Sequence, residues 1–169
     1  MTLDHRPFQE ADAGMISTFP NSSEELFHML PDASYPLMSS WLSAAARESH
    51  DPTVGLLNGR IAGFVSFIEV QEKKFCTIGN LVVHPEYRRN GVAAYLVKVM
   101  VQTAMQRYAV RFVRASCFSH NKAAYTLCHK MGFRPADMGQ RLGPDGDPVL
   151  MIHMHLSIRK WAESQAMTN

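Results

Sequence analysis

Three cysteines are all this 169-residue sequence holds, Cys76, Cys117 and Cys128, and no two form a C-x-x-C pair. That scarcity excludes a disulfide framework, and reduced, buried thiols of a cytoplasmic protein are the expectation. No run approaches the ~18 apolar residues of a membrane span. The opening residues carry Asp4 with no apolar stretch behind it, so no signal peptide is expected. Charge of one sign is also scarce: 17 Lys and Arg against 15 Asp and Glu leave a net +2. Dedicated nucleic-acid binders concentrate many cations, and no basic stripe stands out here. The dinucleotide fingerprint G-x-G-x-x-G, internal repeats and low-complexity linkers are all absent, and no metal cofactor is expected.

What is present is core material. Hydrophobic residues make up 46% of the chain and charged ones 19%, enough to fill one domain without staples. The first 50 residues read as helices with polar breaks. Asn21 or Ser22 caps a short helix from Glu24 to Leu30, and a second helix runs from about Pro36 to Arg47 with Leu37, Trp41, Leu42 and Ala45 on one stripe. Asp51-Pro52 closes that region.

The period then changes. Runs from Thr53 to Leu57 and from Ile61 to Val70 flank Asn58-Gly59, a strong hairpin signal, and a third strand runs from Phe75 to Val83. A long helix follows to about Tyr108, with Lys98, Gln102 and Gln106 on its wet face. Next come a strand from Val110 to Cys117, and a helix from Asn121 to Met131 that Gly132 terminates. Strands near Phe133–Met138 and Val149–Leu156 complete the pattern. The fold class is α/β, a mixed, mostly antiparallel central sheet with helices on both faces. One domain is expected over residues 1–156, with a loosely docked or frayed C-terminal tail over 157–169.

The chemistry concentrates where the third strand enters the long helix. The first amides of a helix lack internal acceptors and sit at the positive end of the dipole. Gly91 leaves the backbone bare, Ala93 keeps the next position small, and Arg88 and Arg89 add charge. Such a turn suits a pyrophosphate. A solvated charged turn followed by a helix cap has the same local pattern.

The wider context resembles the GNAT superfamily of N-acetyltransferases. Leu81 to Ala93, with Arg88-Arg89-Asn90-Gly91-Val92-Ala93 at its end, looks like motif A, Arg/Gln-x-x-Gly-x-Gly/Ala. Asn121 to Phe133 is similar to motif B, Asn-x-x-Ala-x-x-Leu-Tyr-x-Lys-x-Gly-Phe. The likeness is sharp over residues 75–133 and extends as topology from about 53 to 156. It implies an acyl-CoA N-acyltransferase fold, in which the strand ending at Val83 splays from the strand Val110–Cys117. It also implies acetyl-CoA as cosubstrate. Leu81, Val83, Arg88, Arg89, Asn90, Gly91, Val92, Ala93, Asn121 and Ala124 are then the cofactor-binding candidates, with the backbone of Leu81 and Val83 pairing the pantetheine amides. An N–H near Val83 would stabilise charge on the thioester oxygen.

The resemblance implies direct transfer to a small-molecule or peptide amine, by a monomer or homodimer. Two departures stand out. Thr77 occupies a position where relatives often carry an acid, which leaves Glu69, His153 and His155 as candidate bases, with Asn80 as a substrate-facing polar group on the same strand. Cys128 replaces the motif B tyrosine that protonates the departing thiolate, and Tyr125, one turn earlier, is its possible substitute. Asn121 also reads as an ordinary N-cap. Glu24, Glu25, Asp32, Asp145 and Asp147 are candidates to attract a cationic acceptor, and Phe27, Met29, Tyr35 and Trp41 to supply apolar surface. The alternative function is a non-catalytic module that binds acetyl-CoA or CoA.

Overall fold

The computed structural model describes residues 1–168; Asn169, the end of the expected tail, lies outside them. Strands β1 (Leu3–Pro7), β2 (His50–Leu57), β3 (Arg60–Gln71), β4 (Phe75–Val83), β5 (Phe112–Phe118), β6 (Arg134–Leu142) and β7 (Pro148–Ser157) form one sheet in the order β1-β2-β3-β4-β5-β7-β6. Only β4 and β5 run parallel; every other neighbouring pair is antiparallel. Helices α1 (Ala13–Ile16), α2 (Ser23–Met29) and α3 (Ser39–Glu48) precede β2. Helix α4 (Val92–Tyr108) joins β4 to β5, α5 (Lys122–Lys130) joins β5 to β6, and α6 (Ile158–Met167) follows β7. No helix among the described residues is long and apolar enough to cross a membrane.

Local chemistry explains the turns. Asn58 (φ 50) and Gly59 (φ 78) both adopt the left-handed region that a two-residue hairpin between β2 and β3 demands. The Ser22 hydroxyl accepts the Glu25 N–H at 3.1 Å and starts α2. Gly132 (φ 102) ends α5.

The core has two halves, one on each face of the sheet. Phe19, Leu26, Leu42, Val54 and Phe64 pack beneath α1–α3. Leu96, Val97, Met100, Val113 and Phe133 pack on the α4 face. Adjacent strand residues serve opposite halves: Val54 points under the first helices, while a Cβ on Gly55 would meet Leu96 at 3.0 Å. Gly55 and Gly63 therefore let α4 press directly on the sheet.

Two segments depart from the sequence reading. The chain opens with strand β1, paired along β2 from Leu3↔Leu57 to Pro7↔Thr53. Its mostly polar side chains hid it, because an edge strand with exposed faces shows no apolar alternation. The C-terminal segment is helix α6 instead of a frayed tail, and Ile158 and Trp161 are buried in the α4-side core. In smaller shifts, α3 starts at Ser39 with Trp41 on its exposed side, and Pro52 lies at an irregularity inside β2.

The central feature is where β4 and β5 part. Their pairing runs from Phe75↔Phe112 to Ile78↔Ala115 and then stops, and stacked Phe75 and Phe112 rings (5.3 Å, 18°) lie at its closed end. On the other side of β4, Ser66 pairs with Gly79 and Phe64 with Val82, so one extra residue bulges from β4. Asn80 sits there at φ 58, a conformation asparagine tolerates better than most residues.

Candidate active site

The loop into α4 is built to leave amides bare. Gly91 is the N-cap, left-handed at φ 79, and no side chain caps the helix behind it. A Cβ on Gly91 would have nothing closer than Leu3 at 4.0 Å, so the approach is open. The loop holds itself by other means. The His84 ring accepts the Glu86 N–H at 3.1 Å, and Asn90 Nδ2 donates to the carbonyls of Tyr87 and Arg88, both at 3.1 Å.

Beside this helix end lies a groove of about 560 Å³ lined by Leu81, Val83, Arg89, Gly91, Ala93 and, across the gap, Lys130. Asn121, Ala124 and Leu127 of the α5 region form its other wall. His84 N–H bonds Ala62 O, as part of the β3 side, so the alternating residue Val83 turns its backbone toward the groove. Arg88 Nε approaches Val83 O there, at 3.4 Å.

The groove passes into the gap between β4 and β5. That slot, about 140 Å³, shares Leu81, Asn121, Ala124 and Leu127 with the groove and adds Asn80, Cys117, Cys128 and His28. Asn80 also lines a cleft of about 620 Å³ with Leu30, Trp41, Ala45, Glu48 and Ile68. Groove and slot thus share four lining residues, and slot and cleft share Asn80. Asn80 Nδ2 donates to the Oγ of fully buried Ser66 at 2.9 Å.

The family model for the Acetyltransferase (GNAT) family matches residues 16–133. The chain belongs to that family. Acetyl transfer is the family's chemistry, and the match includes helices α2 and α3 as well as both motif segments. Among solved structures, the chain is similar to yncA of Salmonella typhimurium, described with its cofactor acetyl-CoA. The two are 20% identical with a TM-score of 0.71, covering 94% of this chain and 95% of that one. It is also similar to the ribosomal-protein-S18-alanine N-acetyltransferase of Escherichia coli (21% identity, TM-score 0.69, 93% and 94% covered). A GNAT-family acetyltransferase of Bacillus anthracis is 15% identical, with a TM-score of 0.76 and 94% and 96% covered. At such identities the likeness establishes the fold. No curated protein matches the sequence.

Several candidate residues of this GNAT chain stand elsewhere than the motifs imply. Arg88 does line the groove, but its guanidinium is engaged by Glu25, whose carboxylate accepts at 2.8 and 3.1 Å. That pairing, with help from the Asn21 N–H, holds the Glu25 carboxyl below its ordinary range. Asn90 braces the loop and does not line the groove. Lys130, which the sequence reading passed over, does line it; its spacing of four from Thr126, another lining residue, puts both on one helix face.

Cys128 does line the slot, but burial first, and neighbouring Cys117 second, push its thiol up to about 11. Such a thiol is a poor proton donor to another thiolate. Tyr125 stacks on His129 at 6.1 Å and lines neither groove nor slot. Glu69 is exposed on β3, accepts from Gln71 Nε2 at 2.9 Å, and lies outside groove, slot and cleft. His153 Nδ1 meets Ser116 Oγ at 2.6 Å, and His155 stacks on Phe112 at 4.6 Å; neither ring lines the slot.

Among the proposed acceptor-side acids, Asp32 is paired with Arg141 at 2.7 Å, and Asp145 lines a separate small cleft with Glu24, Phe27 and His120. Glu48, unremarked in the sequence, is the carboxylate of the main cleft. His28 was missed too, because a lone histidine in a seven-residue helix carries no spacing signal. Its ring lines the slot.

Proposed function

We propose that this protein carries an acetyl group from acetyl-CoA directly to a primary amine. The observation that carries the reading is the ending of β4–β5 pairing at Ile78↔Ala115, directly beside an uncapped helix N-terminus. The residues present fit the cosubstrate. The bare amides from Gly91 to Ala94, with Arg89 and Lys130, suit a diphosphate, and the groove-facing backbone of Val83 and Leu81 suits the pantetheine amides. Asn121 caps α5 through its Oδ1, which accepts the Ala124 N–H at 3.2 Å, leaving its Nδ2 to donate into the groove. When bound, acetyl-CoA supplies a thioester carbonyl activated toward amines.

The protein's own part is to place and polarise. Leu81 lines both groove and slot, whereas Val83 lines the groove alone, so we assign the oxyanion-stabilising N–H to the bulge at Leu81. The acceptor enters from the cleft, where Trp41 and Ile68 offer exposed apolar surface and Glu48 a negative charge. That combination suits an amine attached to an apolar body.

The test is incubation with acetyl-CoA and a panel containing 2-phenylethylamine, lysine methyl ester, spermidine and a peptide with a free N-terminal amine. Free thiol and acetylated product are read together, the latter by mass spectrometry. Thr77 and Cys128, standing where relatives place an acid and a tyrosine, favour the second reading of a CoA-binding module without turnover. Tight acetyl-CoA binding with no product from any amine would establish that reading instead.

A further inference from the structure

A histidine pair links the slot to the surface. His28 Nε2 lies 2.9 Å from His120 Nε2, and His120 Nε2 lies 3.8 Å from Glu24 Oε1. Phe118 is sandwiched into the group, with its ring 5.8 Å from each histidine ring and stacked on Phe27 at 4.5 Å. Exposure increases outward along the chain of groups: His28 is half-buried on the slot, the His120 side chain is 42% exposed and that of Glu24 70%. At the far end, Glu24 and His120 open into a surface cleft. One ring nitrogen of each histidine is thus committed to the other, with one donating and one accepting.

We propose that His28 takes the proton released by the attacking amine, and that His120, beside the Glu24 carboxylate, conducts it from the slot to solvent. This rests on the acetyltransferase reading. An acceptor that arrives as an ammonium must shed two protons: one on becoming nucleophilic, one after its lone pair bonds the thioester carbon and the C–S bond breaks. One proton ends on the departing thiolate. The other goes to His28 Nδ1, the Nε2–H on the opposite side of that ring passes its own proton to His120 Nε2, and His120, beside the Glu24 carboxylate, releases its Nδ1 proton to solvent. Amide, thiol and one solvent proton are the balanced products.

The surroundings favour this role. Burial above all, then the neighbouring His120, lower the His28 pKa, while Glu24 and Glu25 work the other way. Glu25 is itself engaged by Arg88. The other titratable groups on the slot are Cys117 and Cys128, both pushed up by burial, and β4 contributes the non-titrating Ile78, Gly79, Asn80 and Leu81 beside them. His28 is therefore neutral at pH 7 and able to accept a proton. His120 and Glu24 act through it as positioning residues.

The experiment combines kinetics with ring titration in the full-length protein. With the best amine of the panel, His28→Gln should lower kcat by about 100-fold or more, with acetyl-CoA affinity by calorimetry and the melting temperature held. Added imidazole should restore turnover to His28→Ala. In NMR titrations, which need no turnover, His120→Gln should raise the His28 titration and Glu24→Gln should lower it. The acid limb of kcat/KM should follow both shifts. Wild-type kcat in His28→Gln, or a His28 titration indifferent to both neighbours, would overturn the relay even in an active enzyme. Bound Zn²⁺ at one per chain, with turnover abolished by chelator, would make the trio a metal site and also overturn it. A wild-type protein that binds acetyl-CoA but acetylates nothing would instead overturn the transfer reading, and the relay with it.

Discussion

The Arg88 guanidinium lies against the Glu25 carboxylate with two contacts, at 2.8 and 3.1 Å, tying the loop ahead of α4 to the first turn of α2. Both side chains keep a third or more of their surface in water, so the pair adds little to stability. Its consequence is electrostatic. Glu25 partly neutralises a cation that lines the groove. Glu25→Gln is expected to tighten acetyl-CoA binding severalfold at low salt, and Arg88→Ala to weaken it; calorimetry at two ionic strengths decides. Unchanged affinity in both variants would remove Arg88 from the phosphate site.

Gly91 offers a sharper test of the groove. Its left-handed φ of 79 costs a branched residue about 1–2 kcal/mol, and its Cβ would stand in otherwise open space before the bare amides. Gly91→Val should therefore lose acetyl-CoA affinity far beyond what its modest drop in melting temperature explains.

Asn80→Leu should damage two properties at once. It puts a side chain that disfavours φ 58 into the bulge and strips buried Ser66 of its partner. A loss of about 1–3 kcal/mol in urea unfolding is expected, with a fall in kcat. Ser66→Ala, which keeps the bulge residue, should cost less in both.

Cys128 should behave as an inert thiol. With its pKa pushed up to about 11, iodoacetamide labelling at pH 8 should be at least about tenfold slower than for a free cysteine. Mass spectrometry of the labelled peptides gives the rate, and rapid labelling would return Cys128 to the list of proton donors.

Acid stability should report on Asp12. Arg6 holds this buried carboxylate at 2.8 and 2.9 Å, and the Gln9 N–H adds a third bond at 2.8 Å. The Arg6 hydrogen bonds, chiefly, keep its pKa low. A depressed folded-state pKa gives stability that is complete above the ordinary carboxylate range near ~4 and lost as pH falls through the depressed value. Asp12→Ala should cost about 1–3 kcal/mol at pH 7, the lower part of that range reflecting an Arg6 that remains 33% exposed. The difference from the parent should shrink in melts below pH 3.

Much of this molecule is legible in its sequence, for identifiable reasons. Asn58-Gly59 specifies its hairpin alone, and the two motifs fix the order of the elements around them. Gly91 and Ala93 are compatible with an open helix end, but an ordinary helix cap has the same local pattern, so it is the two motifs around them that single the turn out. The failures share a cause, since pairing across space leaves no local period. Strand β1 is stabilised by β2, α6 by the core that receives Trp161, and the Arg88–Glu25 contact joins residues 63 apart. His28 and Glu48 become site residues only when α2 and α3 are laid over β4. The exchange of Tyr for Cys at 128 was visible, but its consequence depends on burial.

Among the described residues, the four pairs from Phe75↔Phe112 to Ile78↔Ala115 are the whole of the strand pairing that joins one half of the sheet to the other. Strands β1–β4 and β5–β7–β6 behave geometrically as two plates meeting at a short seam, with the stacked phenyl rings at its closed end as fulcrum. Any change of angle there would widen or narrow the wedge at its open end, so trimming Phe75 or Phe112 is expected to alter the slot without touching anything that lines it.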